Sequence, residues 1–311
     1  MPPGELFGTR GHKASHSRLL LGLALAWLAV AGNIDAAAAT PRKIYISADM
    51  EGIGGVVSRA QTGRDQPEYS RFRELMTQEV NAAIEGALAA GATQIVVSDS
   101  HGEGENLLVE KLHPAATLER SFPRPLDMMQ GIDSSFDAVL LIGYHAAAGT
   151  PDAILPHTMS GRISSLKVNG VNLSEGGVSA AIAGHFGVPV ALVSGDQTTI
   201  EEIRRLIGPV TGAQVKVAHG AGAATTLHPS ESCRLIREKT REALGTKAPV
   251  YKVKTPVTLE MEFKTVLDAE ILAFIPGVER TSGTAVKVQL QDLVAVAKFI
   301  NVVMYVRPPG S

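Results

Sequence analysis

Lys43-Ile-Tyr-Ile-Ser-Ala-Asp49-Met-Glu51-Gly52 and, further on, Thr93-Gln-Ile-Val-Val-Ser98-Asp99-Ser-His101-Gly102 are the stretches from which the fold is read. Each is a short apolar, β-branched run that breaks into polar residues and glycine, the profile of a strand ending in a loop. Between them, Tyr69 to Ala90 carries the period of an amphipathic helix, and Gly91 closes it. A strand, a helix and a second strand in that order predict a parallel pair, because only a crossover returns the chain in the same direction. Asp137 to Ile142 and Pro189 to Ser194 are further strands of the same kind. Short, almost uninterrupted apolar strands separated by helices predict an α/β fold, a mostly parallel sheet with helices on both faces. Beyond Ala248 the texture changes. Lys252 to Lys264 alternates as an exposed strand does, and a helix, a strand at Ala285 to Leu290 and a last helix follow. The expected organisation is a larger α/β domain over 40–247 and a smaller α+β portion over 248–311.

The first residues read differently. Arg10, Lys13 and Arg18 precede an apolar run from Leu19 to Ala31, and an alanine cluster, Ala36 to Ala39, follows. A basic start, a short apolar middle and small residues at the end predict a signal peptide over 1–39, hence an exported, periplasmic protein. The apolar run is shorter than the roughly 20 residues that span a bilayer, so no membrane span is expected after cleavage; an uncleaved anchor is the alternative. The single cysteine, Cys233, allows no intramolecular disulfide and lies in a helical pattern. Among the 311 residues, 45% are hydrophobic and 19% charged, enough to bury a core. A net charge of −2 and only 5% aromatics argue against nucleic acid as a partner.

The strand ends collect the chemistry. In open α/β sheets ligands bind outside the carboxyl ends of the strands. There the chain places Asp49 and Glu51, then His101, then His145 in Gly143-Tyr-His145-Ala, and Asp196 in Ser194-Gly-Asp196. Asp49 and Glu51 share a face in extended chain, and two adjacent carboxylates repel unless a cation lies between them. Adding imidazoles gives the mixed oxygen and nitrogen set that suits zinc. An isolated acidic pair is usually just solvated, and a lone histidine after a strand is more often a core residue than a ligand. Several such elements at neighbouring strand ends favour a metal site. Asp99 and Asp196 are placed to orient ligands by hydrogen bonds. His113 reads as structural, and His185, His219 and His228 have no chemistry beside them.

At this point the sequence resembles the zinc-dependent D-aminopeptidase family. The resemblance covers nearly everything after Lys43. It is carried by Ser47-Ala-Asp-Met-Glu-Gly52, Ser98-Asp-Ser-His101, Val109-Glu-Lys-Leu-His-Pro114, Gly143-Tyr-His-Ala146, His157-Thr-Met159, Ser174-Glu-Gly-Gly177 and Val193-Ser-Gly-Asp196. Ile275-Pro-Gly277 and Thr281-Ser-Gly283 also fit. It implies two divalent ions, most simply Zn2+, on Asp49, Glu51, His101, His145 and Glu175, with His157 as the catalytic histidine. Read from the residues alone, Glu175 is a first-turn helix carboxylate and Pro156-His157-Thr158 a plain loop. The interval from His145 to His157 is one residue longer than the family pattern. The implied activity is hydrolysis, by metal-activated water, of short peptides bearing an N-terminal D-residue, in a ring-like homo-oligomer. Two other readings stay open. One is a two-metal phosphoesterase, although no phosphate-binding glycine loop or arginine cluster accompanies the motifs. The other is a periplasmic solute-binding protein, which leaves the four strand-end residues without a purpose.

Overall fold

From β1 (Lys43–Ala48) the chain passes through a one-turn helix, α1 (Arg59–Thr62), into the long α2 (Tyr69–Ala89), and returns as β2 (Gln94–Asp99). β3 (Ala116–Glu119), β4 (Ala138–Ile142) and the short pair β5 (Ile163–Val168) and β6 (Val171–Asn172) follow. Next come α3 (Glu175–His185), β7 (Val190–Asp196), α4 (Gln197–Ile207), β8 (Thr211–Ala218), β9 (Ala224–Thr226) and α5 (Pro229–Leu244). The last stretch is β10 (Val257–Phe263), α6 (Val266–Leu272), β11 (Val278–Arg280), β12 (Ala285–Leu290) and α7 (Leu293–Tyr305). This computed structural model describes residues 42–305, and the signal segment expected at 1–39 lies outside them.

The main sheet has the order β3-β2-β1-β4-β7-β8-β9. Every neighbouring pair is parallel except β8 with β9, as the crossover reading requires. From β1 the chain builds outward through β2 and β3, then crosses back to lay β4 on the other side of β1. Strand order therefore reverses between β1 and β4, which opens a crevice at their carboxyl ends. Alternation inside β1 sorts its side chains. Ile44, Ile46 and Ala48 join the core with Phe72, Met76 and Ile236 of the α2–α5 side, whereas Tyr45 joins Val139, Leu141 and Phe136 on the other. That other face is covered by α3, α4, α7 and a second sheet. In α4 the buried residues Ile200, Ile203 and Ile207 recur at helical spacing, which fixes the face it presents.

The second sheet is antiparallel, with the order β11-β12-β10-β5-β6. β10 shows the alternation seen in the sequence, with Val257, Leu259, Met261 and Phe263 buried. Its neighbour β5 comes from residues before the expected boundary at 248, so this sheet is stitched from both regions of the chain.

Candidate metal centre

The crevice at the β1–β4 switch is where the acids and imidazoles meet. Asp49 follows β1 directly, His101 follows β2, and His145 follows β4. Two backbone contacts bring the first and third together: Asp49 N donates to Ile142 O at 2.8 Å, and Gly52 N to Gly143 O at 2.7 Å. Gly143 has φ +73°, and a Cβ there would lie 2.3 Å from Asp49 O. Only glycine meets both demands cheaply. Beneath the Asp49–Val56 loop, buried Lys216 of β8 donates to the carbonyls of Glu51, Ile53 and Val56 at 2.5 to 3.1 Å. Burial drives its pKa down to about 8.

Asp49 lies between two groups. Its Oδ1 is 3.3 Å from His101 Nδ1, which is also 3.0 Å from Glu51 Oε2. Its Oδ2 is 3.2 Å from His145 Nε2, which is 3.4 Å from Glu175 Oε2. Donor atoms of Asp49, Glu51 and His101 lie within 4.8 Å of one another, as do those of His145, His157 and Glu175. Glu175 opens α3, behind Ser174, whose hydroxyl caps the helix by accepting from Gly177 N. His157 Nε2 is 3.6 Å from Glu175 Oε1, and its ring stacks on His145 at 4.1 Å between centroids. All six residues named from sequence and resemblance thus stand in one place.

Two features test whether this place fits a metal. Asp49 Oδ2, Glu51 Oε2 and His145 Nε2 are buried without a hydrogen bond. They approach their opposite partners closely, yet none is met along a bonding direction, and a cation seated among them supplies what is missing. The imidazoles provide the second. His101 Nε2 faces Thr62 O at 2.9 Å, His145 Nδ1 faces Ala146 O at 3.0 Å, and His157 Nδ1 faces Leu155 O at 2.8 Å. In each ring the nitrogen that donates to a carbonyl fixes the tautomer and turns the other nitrogen's lone pair toward the carboxylates. This is how metal-binding imidazoles are held.

The electrostatics agree. Burial works against charge on His101, but Glu51 and Asp49 outweigh it and raise its pKa well above the usual value. The same contest at His145, won by Glu175 and Asp49, ends the same way. Burial opposes ionisation of Glu51, yet His101 and its neighbours hold its pKa well below the ordinary range. Glu175 is lowered likewise, burial being outweighed by His145. Buried negative charge here demands positive charge, from protons or from metal.

Asp99 and Asp196 do not touch the imidazoles. Asp99 accepts from Asn106 N, Asn106 Nδ2 and Leu107 N, and Asn106 Nδ2 also donates to His101 O, so Asp99 shapes the loop that carries His101. Asp196 caps α4 through Thr199 and holds Ile154 N, three residues before His157. That loop is bent by three non-glycine residues at positive φ, Asp152, Leu155 and Met159. Such conformations persist where the surroundings impose them, and they gather at functional sites. His113, His185, His219 and His228 lie outside the cavity lining.

The centre opens into a cavity of about 510 Å³, lined by Asp49, Glu51, His101, His157 and Glu175 and also by Arg59, Arg64 and Asp127. The sequence reading passed over these last three. Asp127 is buried with its Oδ2 unpartnered, and burial, reinforced by Glu175, pushes its pKa up to about 7. Neither arginine carries a sequence signal, since both sit in a polar turn, Ser58 to Glu68, that reads as a solvated loop.

Comparison with known proteins follows from this geometry. The family model described as D-aminopeptidase, Peptidase M55, matches residues 42–302. A D-aminopeptidase of Bacillus subtilis (strain 168) is 37% identical over 254 residues, covering 81% of this chain and 92% of its own. Among solved structures, the Zn-dependent D-aminopeptidase DppA from Bacillus subtilis, described as a self-compartmentalizing protease, aligns with a TM-score of 0.81 and 36% identity. That alignment covers 84% of this chain and 96% of the other.

Proposed function

The chain belongs to the D-aminopeptidase family, Peptidase M55, and on that premise we propose that it is a zinc-dependent aminopeptidase releasing N-terminal D-residues from short peptides. The observation that carries the reading is Asp49, whose two oxygens face two separate imidazole–carboxylate groups, so that one carboxylate would serve both ions. Glu51 and His101 would hold one ion beside it, and His145 and Glu175 the other. Two zinc ions held there supply Lewis acidity, which lowers the pKa of water and polarises a peptide carbonyl. His157 does the proton work. Leu155 O fixes its Nδ1–H, so Nε2 faces the site with its lone pair, able to take a proton from the attacking water and, once protonated, to stabilise the oxyanion and pass that proton to the departing amine. Glu175 also sets the loop that carries it, because its Oε1 accepts from Met159 N at 2.6 Å.

Release of D-alanine from D-Ala-D-Ala tests the reading, with zinc content measured on the same preparation. The expected result is about two ions per chain and no turnover of L-Ala-L-Ala at a comparable rate. Full activity after exhaustive chelation overturns it.

Export and assembly belong to the same proposal. The Arg18 and Leu19 to Ala31 segment supports cleavage near Ala39 and a periplasmic enzyme; an intact Met1 on the secreted protein, read by mass spectrometry, contradicts this. A homo-oligomer is supported by the self-compartmentalizing relative and by Val266, Leu267 and Phe274, large apolar side chains exposed on and after α6. Light scattering distinguishes it from a monomer.

A further inference from the structure

We propose that Asp127 receives the free ammonium of the substrate, and so makes an unblocked amino terminus a requirement of the site; this rests on the aminopeptidase reading above. In a peptide cut after its first residue, that ammonium is two bonds from the scissile carbonyl carbon, about 2.5 Å away. Whatever holds the charge must therefore line the same cavity as the metal groups. The carboxylates that do so are Asp49, Glu51, Asp65, Glu103, Asp127 and Glu175. Asp49, Glu51 and Glu175 belong to the groups that would hold the ions, and Asp65 and Glu103 are exposed to water. Asp127 remains, 6% exposed, with its Oδ2 buried and without a hydrogen bond. A buried, unpartnered carboxylate is costly, and a cation arriving with the ligand removes that cost.

The backbone around Asp127 is fastened to the strand ends that carry the metal groups. Asp127 opens a single 3-10 turn, Asp127–Met129, at φ +53°, a conformation that aspartate tolerates better than most residues. The carbonyl of the next residue, Met128, accepts from Ser98 Oγ at 2.8 Å, Ser100 Oγ at 3.1 Å and Ser47 Oγ at 3.2 Å. Ser47 lies in β1 two residues before Asp49, and Ser100 immediately precedes His101. On the side of the second group, Glu175 is near enough for its charge to oppose ionisation of Asp127. Arg124 favours the charged form, but its guanidinium is directed elsewhere: Nη2 donates to Asp99 O at 2.9 Å, and the group lies 3.9 Å from the centre of the Phe122 ring. A carboxylate with another acid nearby and an unpartnered oxygen suits a cationic ligand, and a primary ammonium brings it three donors. A hydroxyl or an acylated amine in that position brings no charge.

Calorimetry on the zinc-loaded full chain compares D-alanine hydroxamate, which carries the ammonium, with propanohydroxamate, which differs only in lacking it. Both bring the same zinc-binding group. The unmodified protein should bind the amino compound more tightly. Asp127→Asn keeps the shape and removes the charge, and should weaken that compound by about ten- to hundredfold, the worth of one hydrogen bond to a charged group. Propanohydroxamate should shift by less than about twofold, with zinc content unchanged, and Asp127→Glu should recover part of the preference by restoring the charge. Equal binding of the two compounds by the unmodified protein, equal weakening of both in Asp127→Asn, or no change in either overturns the proposal. Loss of zinc from Asp127→Asn overturns it too, by making Asp127 a metal ligand. Turnover of D-Ala-D-Ala by the unmodified protein is measured alongside. Its absence removes the aminopeptidase reading and the proposal with it, whereas normal turnover with no effect of Asp127→Asn on the amino compound removes the proposal alone.

Discussion

Replacing His157 with alanine separates binding from chemistry at this centre. Of the imidazole–carboxylate approaches in the cluster, His157 to Glu175 is the longest at 3.6 Å, against 3.0 to 3.4 Å for those of His101 and His145. Its side chain is also the most open of the three, 22% exposed against 13% for His101 and 1% for His145. The five other residues form two complete groups around Asp49 without it, so zinc content should hold at about two ions per chain. The rate should not. Proton transfer and oxyanion stabilisation are each worth about a hundredfold or more, so a loss of about 10² to 10⁴ in kcat is expected, roughly 3 to 5 kcal/mol of barrier. Folding should survive, because the lost bond to Leu155 O costs about 1 kcal/mol against a typical 5 to 15. Metal analysis and turnover are measured on one preparation. Loss of one zinc along with the rate would show His157 to be a ligand, as its grouping with His145 and Glu175 allows. Unchanged turnover would remove it from the reaction.

Glu51→Ala and His101→Ala should each lose both metal and activity, since each removes a member of the group around Asp49 Oδ1; retention of two ions by either variant refutes its assignment. Gly143→Ala must force a φ of +73° on an alanine and drive its Cβ against Asp49 O. We expect a loss of more than about 2 kcal/mol, seen as a Tm lowered by about 5 °C or more, together with weaker zinc binding. In the chelated protein, the raised pKa values of His101 and His145 contribute stability that is full below 6.5 and fades as pH rises through their folded values. The lowered values of Glu51 and Glu175 contribute stability that is full above 4.5 and is lost on acidification through their folded values. The metal-free cluster is thus most stabilising between 4.5 and 6.5, and the Tm increase given by added zinc should grow as pH rises above that window. A zinc increment that shrinks with rising pH contradicts the picture.

Much of the main sheet was legible because its signals are local. The runs read as strands at Lys43 to Ser47, Thr93 to Ser98, Asp137 to Ile142 and Pro189 to Ser194 differ from β1, β2, β4 and β7 by a residue or two at their ends. The helix read from Tyr69 to Ala90 is α2, Tyr69–Ala89. Apolar periodicity fixes such elements before any partner is known, and the strand-end rule then directs attention to Asp49, Glu51, His101 and His145. Tertiary structure decided the rest. β5 gains its meaning only by pairing with β10, far along the chain, and no local pattern encodes that partnership. Glu175 looks like any first-turn carboxylate, and His157 like any loop histidine; what distinguishes them is the packing that brings the start of α3 beside Tyr144 and His145, just after β4, and bends the loop through positive φ. Arg59 is the extreme case. Its turn is polar and ordinary in sequence, and only the tertiary structure, which sets Thr62 O against His101 Nε2, brings it into the cavity lining. Periodicity is a property of neighbours in the chain, whereas a binding site depends on distances between residues that the chain alone does not relate.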